Sequence, residues 1–175
     1  MILRRTAALL LTLGLFTAAC GADSGGRADD GNGVIGSAPD AERVDGLTFA
    51  TFDGAIERFD DRIGTPLVVN FFAEWCVNCI HEMPDFEAVS QELAGEVAFL
   101  GISIDRGSAE ALALVEATGV TYDVGWDPSE ELYAHFRGLA MPTTAFVDET
   151  GRITSVWSGV LDAESLREKI TEEIL

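Results

Sequence analysis

Hydrophobic positions along the chain predict an alternation of buried strands and helices. The run Leu67–Phe72 is apolar on both faces, which predicts a central strand that is covered on both sides. A helical pattern follows over residues 76–94, where Pro84 is expected to kink the helix. Residues 97–104 predict a second buried strand and Ser108–Thr118 a helix, which together make a crossover unit.

Weaker patterns account for the positions on either side of these segments. Residues 47–52 and 122–126 have strand character, and Asp127 is expected to cap a short helix. Residues 143–157 alternate between apolar and polar side chains as in a hairpin, and Asp162 is expected to cap a last helix. This order of elements indicates an α/β fold with a mixed central sheet flanked by helices.

Residues 1–19 have the layout of an export signal. Two arginines precede an apolar run at residues 7–16, which is shorter than the roughly 20 residues of a membrane-spanning helix. The ending Thr-Ala-Ala-Cys at Cys20 resembles a bacterial lipobox, although Thr17 stands where Leu is usual. The resemblance implies cleavage before Cys20 and a lipid on its sulfur, which would anchor the protein to the outer face of the cell membrane. Plain secretion is the alternative.

The chain after the signal divides into a linker and a domain. Residues 20–45 are predicted to be the lipidated cysteine and a flexible linker, because a segment rich in Gly, Ala, Ser and Asp cannot bury enough surface to offset the entropy of folding. Residues 46–175 are long enough for one domain with its own core.

Acidic residues dominate the charge of the chain. Asp and Glu number 30 against 11 Lys and Arg, which gives a formal net charge of -19 with Lys169 as the single lysine. This balance argues against nucleic acid or an anionic membrane surface as a binding partner. A solvated acidic surface explains it equally well, so no function follows from the charge.

Cys76 and Cys79 form a Cys-X-X-Cys motif where the predicted strand runs into the predicted helix. The free N–H groups at a helix N-terminus favour a thiolate, so Cys76 is the expected nucleophile and Cys79 the resolving cysteine. Half of a zinc site or a static disulfide would have the same spacing. Zinc would need two further ligands, which His81 and His135 do not supply at paired spacing. No metal or other cofactor is expected.

Two segments resemble the active site of thioredoxin. Residues 71–79 (Phe-Phe-Ala-Glu-Trp-Cys-Val-Asn-Cys) resemble the redox motif, and residues 141–144 (Met-Pro-Thr-Thr) resemble the segment with the cis-proline. More narrowly, the chain is similar to TlpA/ResA-like thiol–disulfide oxidoreductases of the redoxin type. Asn70, the sequence Glu-Met-Pro that begins at Glu82, and an extra helical segment before the cis-proline strand carry this resemblance over residues 46–175.

The resemblance implies a thioredoxin-like fold and roles for several residues. A cis peptide is expected before Pro142, which would leave the backbone of Met141 free to pair with a client protein. Glu82 is expected to be a buried acid that transfers protons, and Trp75 could contact clients beside Cys76. Relatives receive electrons from a membrane thiol transporter, which is the implied partner here.

The two residues between the cysteines bear on the direction of electron flow. Val77 and Asn78 bring no cation that would stabilise the Cys76 thiolate, which favours a reductant of disulfides in exported client proteins. Apocytochrome c, a copper-site protein and general misoxidised thiols are all open as clients. The alternatives are a disulfide oxidase or isomerase, a copper-delivery or client-binding module, and a thiol peroxidase, which would need Thr or Ser in place of Ala73.

Overall fold

The computed structural model describes the backbone of Val34–Gly36 and residues 43–175. The predicted signal at residues 1–19 and the predicted lipidation site Cys20 lie outside the described residues. Within the described part, no helix is both long enough and apolar enough to cross a membrane.

Eight strands of the described residues form one mixed sheet. In chain order they are β1 (Val34–Gly36), β2 (Thr48–Ala50), β3 (Ile56–Arg58), β4 (Leu67–Phe72), β5 (Ala98–Ser103), β6 (Asp123–Trp126), β7 (Thr143–Val147) and β8 (Ile153–Ser158). Their order across the sheet is β1-β8-β7-β4-β5-β6-β2-β3. The central strand β4 pairs parallel with β5 and antiparallel with β7, and all six of its side chains are buried.

Helices cover the sheet on both faces. They are α1 (Val77–Glu92), α2 (Ser108–Thr118), α3 (Glu131–His135) and α4 (Ala163–Glu173), with a short 3-10 helix at Phe59–Arg62. Alternate side chains of β4 point to opposite faces. Asn70 contacts Glu82 of α1 on one face, and Phe71 packs against Phe136 after α3 on the other, with ring centroids 5.3 Å apart.

Most of the predicted elements are present. The strand Leu67–Phe72 and the helix Ser108–Thr118 have the predicted bounds, and the parallel pair β5 and β6 completes the crossover unit. The hairpin of β7 and β8 is also present, and the Asp162 carboxylate caps α4 by accepting a hydrogen bond from Ser165 N–H at 2.8 Å. Helix α1 runs without interruption through Pro84.

The structure corrects two local expectations. The strand predicted at residues 47–52 is only Thr48–Ala50, because the chain turns there and pairs back through β3. Asp127 does not cap α3, which begins at Glu131. Glu130 is the N-cap residue, and the Asp127 carboxylate, from three residues earlier, accepts a hydrogen bond from Tyr133 N–H in the first turn at 2.9 Å.

The described fold also begins before residue 46. Strand β1 pairs with β8, and Val44 is buried with its N–H donating to Gly151 C=O at 2.9 Å. Both lie inside the segment predicted to be a linker. The apolar residues of that segment are too few to stand out in the sequence, yet they add to the edge of an existing sheet.

Candidate active site

The redox cysteines lie where β4 passes into α1. Cys76 is the N-cap residue of the helix, and its Sγ accepts a hydrogen bond from Cys79 N–H at 3.1 Å. The two cysteines form a disulfide. After reduction, the same N–H group and the positive end of the helix dipole would face the Cys76 sulfur, which favours its thiolate.

The two cysteines differ in exposure. Cys76 is 6% exposed, whereas Cys79 is 0% exposed. The neighbours Trp75 and Val77 are 59% and 62% exposed, so apolar side chains stand in solvent directly beside the more accessible sulfur. Cys76 is therefore the more accessible of the two cysteines.

The segment before β7 reaches the same edge of the sheet. The peptide between Met141 and Pro142 is cis, as the resemblance implied, and Pro142 C=O accepts a hydrogen bond from Gly159 N–H at 2.9 Å. The register pairs Thr143 with Phe71 of β4, so Pro142 lies level with the start of the active-site turn. Among the backbone hydrogen bonds of the described residues, none involves Met141.

Glu82 lies one helical turn after Cys79 and is buried at 1% exposure. Its two oxygens have separate partners from distant parts of the chain. Asn70 Nδ2 donates to Oε1 at 2.9 Å, and Leu161 N–H donates to Oε2 at 3.1 Å. The carboxyl group is therefore held between β4 and the loop that follows β8.

Burial controls the protonation of Glu82. Removal from water raises the pKa of Glu82 to about 8, and the hydrogen bonds from Asn70 and from Leu161 N–H lower it by less. The nearby carboxylate of Asp85 adds to the rise. The group is therefore mostly neutral at pH 7, and it exchanges its proton close to the pH range in which thiols titrate.

Asn70 can serve Glu82 in both protonation states. Within the described residues, its Oδ1 is buried without a hydrogen-bond partner. A rotation of the amide would bring this oxygen to Glu82, where it could accept the proton of the neutral carboxyl, since side-chain amides can present either end. An Asp at this position would instead place two carboxyl groups in contact.

Asp105 is a site residue that the sequence analysis missed. Its carboxylate accepts the N–H of Glu74, in the active-site turn, at 3.1 and 3.0 Å. It follows the end of β5, the parallel neighbour of β4. Polar residues just beyond the carboxyl ends of parallel strands collect at one edge of a sheet, and this signal could have identified it.

A family model decides the family of the chain. The AhpC/TSA family model matches residues 37–156, which is more than half of the chain. The chain belongs to the AhpC/TSA family. Among curated relatives, the thiol-disulfide oxidoreductase ResA of Geobacillus thermodenitrificans is 23% identical over 127 residues, covering 71% of this chain and 72% of ResA. The DsbE homolog of Paracoccus denitrificans, a thiol:disulfide interchange protein, is 24% identical over 169 residues, covering 95% of this chain and 92% of that protein.

Solved structures share the fold of this AhpC/TSA member. The MTB dsbF structure matches with a TM-score of 0.66 and 26% identity, over 72% of this chain and 93% of that chain. The exposed lipoprotein thioredoxin Etrx1 of Streptococcus pneumoniae matches with a TM-score of 0.61 and 23% identity, over 72% of this chain and 98% of that chain. The predicted thioredoxin-like fold and the distant relationship to ResA-like oxidoreductases are thus confirmed.

These relationships establish the reaction type. This AhpC/TSA member is a thiol–disulfide oxidoreductase of the ResA/DsbE type, with Cys76 and Cys79 as its Cys-X-X-Cys pair. No group of three or more His, Cys, Asp or Glu side chains in the part of the chain that the structure describes could hold a metal ion.

The raised pKa of Glu82 predicts a pH-dependent stability difference. Between pH 4.5, its ordinary pKa, and about 8, the folded protein keeps the proton that the unfolded chain releases, so the wild type loses stability as the pH rises. The free energy of unfolding of Glu82→Gln, relative to wild type, should therefore rise by up to about 1.4 kcal/mol per pH unit across this window. Denaturant unfolding of the oxidised proteins measures it.

Glu87→Gln on the same helix is the matched control. Burial raises the pKa of Glu87, but hydrogen bonds from Thr121 and Gln91 outweigh it and hold this pKa below 4.5. Its effect on stability should stay constant from pH 4.5 to 8 and shrink only at lower pH. An equal difference between wild type and Glu82→Gln at pH 4.5 and pH 8 would show that Glu82 has an ordinary pKa.

Proposed function

We propose that this protein reduces disulfides in exported client proteins from the outer face of the cell membrane. The environment of Cys76 supports this direction of electron flow, from the protein to its clients. Among the described residues, its sulfur accepts a hydrogen bond from Cys79 N–H, and the intervening Val77 and Asn78 carry no positive charge. A disulfide oxidant needs a strongly stabilised thiolate, because that stabilisation favours its reduced form. A Cys76 thiolate that is stabilised only by the helix N-terminus is more consistent with a reductant than with an oxidant.

The reaction proceeds in two exchanges. The Cys76 thiolate attacks one sulfur of the client disulfide, forms a mixed disulfide and releases the other client sulfur as a thiolate, which takes up a proton. Cys79 then attacks Cys76, which releases the second client thiol and leaves the Cys76–Cys79 disulfide. The client gains two electrons and this protein loses two. A thiol carrier in the membrane is the proposed donor that restores the dithiol.

The ionised form of Glu82, which is the minor form at pH 7, is proposed to take the proton of Cys79 during the second exchange. A buried thiol must lose its proton before it can attack, and water has no access to Cys79 at 0% exposure. Glu82 lies three residues further along the same helix, which places both side chains on one face. Its pKa of about 8 is close to the ordinary pKa of a thiol, about 8.5, so transfer between them is nearly balanced.

Clients are proposed to bind as extended segments across the edge that carries the sulfurs. The backbone of Met141 is available to pair with such a segment, in the manner of a strand added to a sheet. Trp75 and Val77 offer exposed apolar contacts on one side of Cys76, and Leu139, at 79% exposure, offers another just before Met141. Exported proteins with accessible disulfides are the client class, and apocytochrome c is one candidate.

Membership of the AhpC/TSA family makes a thiol peroxidase the second candidate. A peroxidase of this fold needs a hydroxyl side chain three residues before its reactive cysteine, where this chain has Ala73, buried at 0% exposure. No side-chain donor at that position could polarise a peroxide. The second cysteine, one turn into the helix, also suits exchange with a client disulfide better.

The Glu82 proposal predicts a kinetic defect without loss of the fold. Glu82→Gln should slow release of a mixed disulfide by about 10- to 100-fold, because the Cys79 proton loses its acceptor. Stopped-flow measurement from pH 5 to 9, with a peptide disulfide as the client, follows the release. Rates equal to those of the wild type throughout this range would remove Glu82 from the reaction.

The order of the cysteines predicts which variant traps a client. Cys79→Ser should accumulate a client covalently bound to Cys76, because the sulfur that releases it is absent. Cys76→Ser should trap little, since Cys79 is fully buried. Non-reducing gels of both variants, expressed with export intact, measure trapping, and the bound protein identifies the client. Trapping by Cys76→Ser alone would reverse the roles, and trapping by neither would refute the exchange mechanism.

The lipid anchor on Cys20 is proposed from the lipobox-like ending of the signal. A similar solved protein, Etrx1, is described as an exposed lipoprotein, which supports this proposal. Cys20→Ser should abolish labelling with a fatty-acid probe and release the domain from membranes. If the unmutated protein carries no label and is found in the medium, the protein is secreted instead.

A further inference from the structure

Asp105 joins the end of β5 to the active-site turn. Its side chain is 4% exposed, and both carboxylate oxygens lie at hydrogen-bond distance from Glu74 N–H, at 3.1 and 3.0 Å. Glu74 is the second residue of the four-residue turn that leads from β4 to Cys76. A buried carboxylate thus holds the backbone of the turn that carries the nucleophile.

Asp105 is itself held in place by three hydrogen bonds, one to its carboxylate and two to its backbone. Ser103 Oγ–H donates to Asp105 Oδ2 at 3.0 Å, and Asp105 N–H donates back to Ser103 Oγ at 3.0 Å. Trp126 Nε1–H donates to the backbone carbonyl of Asp105 at 2.6 Å. Ser103 of β5 pairs with Phe72 of β4 and with Trp126 of β6. The residues that hold Asp105 are therefore fixed by three neighbouring strands.

Glu74 lies directly between this support and Cys76. The turn is closed at its other end by Cys76 N–H, which donates to Ala73 C=O at 3.1 Å. Cys76 must keep this position for its Sγ to face Cys79 N–H and for the two sulfurs to meet. We propose that Asp105 is a positioning residue, which holds the Ala73–Cys76 turn so that Cys79 can attack the mixed disulfide on Cys76.

The hydrogen bond and the charge of Asp105 act in different ways. The bond to Glu74 N–H orders the turn, whereas a negative charge near the nucleophile would disfavour its thiolate. Asn in place of Asp keeps an oxygen that accepts from Glu74 N–H and removes the charge. Ala removes both. Comparison of the two variants therefore separates positioning from charge.

The test uses reduced protein and 5,5′-dithiobis(2-nitrobenzoic acid), whose aryl disulfide stands in for a client. Attack by Cys76 releases one thionitrobenzoate and leaves the other in a mixed disulfide, and attack by Cys79 then releases the second. Asp105→Ala should slow the second release by about 10- to 100-fold relative to wild type, because ring closure depends on the geometry of the two sulfurs. The first release should change less.

Asp105→Asn should restore the second release to within about threefold of wild type, since the bond to Glu74 N–H is kept. Asp148→Ala is the matched control: its carboxylate accepts the N–H groups of Thr150 and Arg152 in the hairpin turn at the opposite edge of the sheet. It should lower the stability and leave both releases unchanged. Equal slowing by Asp105→Ala and Asp148→Ala, or no rescue by Asn, would overturn the proposal.

Ser103→Ala provides a second test of the proposal if Asp105→Ala does not fold. It removes the hydroxyl that donates to the carboxylate and accepts Asp105 N–H, but it keeps the carboxylate itself. It should therefore slow the second release less than the loss of Asp105, by about threefold to tenfold. A second release equal to that of wild type in Ser103→Ala would contradict the proposal. The assay needs only thiol–disulfide exchange, so its outcome does not depend on whether the protein acts as a reductant in the cell.

Discussion

The passage of a fully buried strand into a helix is the constraint on which the site depends. Because β4 is covered on both faces, its register is fixed, and a slip by one residue would turn Asn70 away from α1. The strand ends at Phe72, so the next residues must turn at the edge of the sheet, and Cys76 becomes the N-cap of α1. The positions of both sulfurs follow from this geometry.

Two buried carboxyl groups are proposed to adapt this turn to thiol chemistry. Glu82, on the buried face of α1, is kept mostly neutral by burial. Placing a carboxyl group in the core is unfavourable, and the hydrogen bonds from Asn70 Nδ2 and Leu161 N–H offset this penalty only in part. Asp105, beside the turn, accepts the N–H of Glu74 within the turn itself. One carboxyl group can exchange a proton near neutral pH, and the other holds the backbone. Their roles differ because their partners differ.

Local patterns predicted the parts of this site that are local in sequence. The apolar run of β4, the helix after it and the spacing of Cys76 and Cys79 are all contained within 26 consecutive residues, from Leu67 to Glu92. The contacts that set protonation and position are not local. Leu161 N–H meets Glu82 from 79 residues away, and Asp105 meets Glu74 from 31 residues away. Such contacts depend on the order of strands in the sheet, which hydrophobic periodicity does not determine.

The Cys76–Cys79 pair is proposed to donate electrons, because the helix N-terminus stabilises the Cys76 thiolate without help from a cation. The reduction potential of this pair decides between donation and acceptance of electrons, and equilibration of the purified domain with a glutathione redox buffer measures it. We expect a potential nearer to that of thioredoxin, roughly -270 mV, than to that of a strong disulfide oxidant, roughly -120 mV. A potential above about -150 mV would contradict this proposal, since the pair would then oxidise its clients.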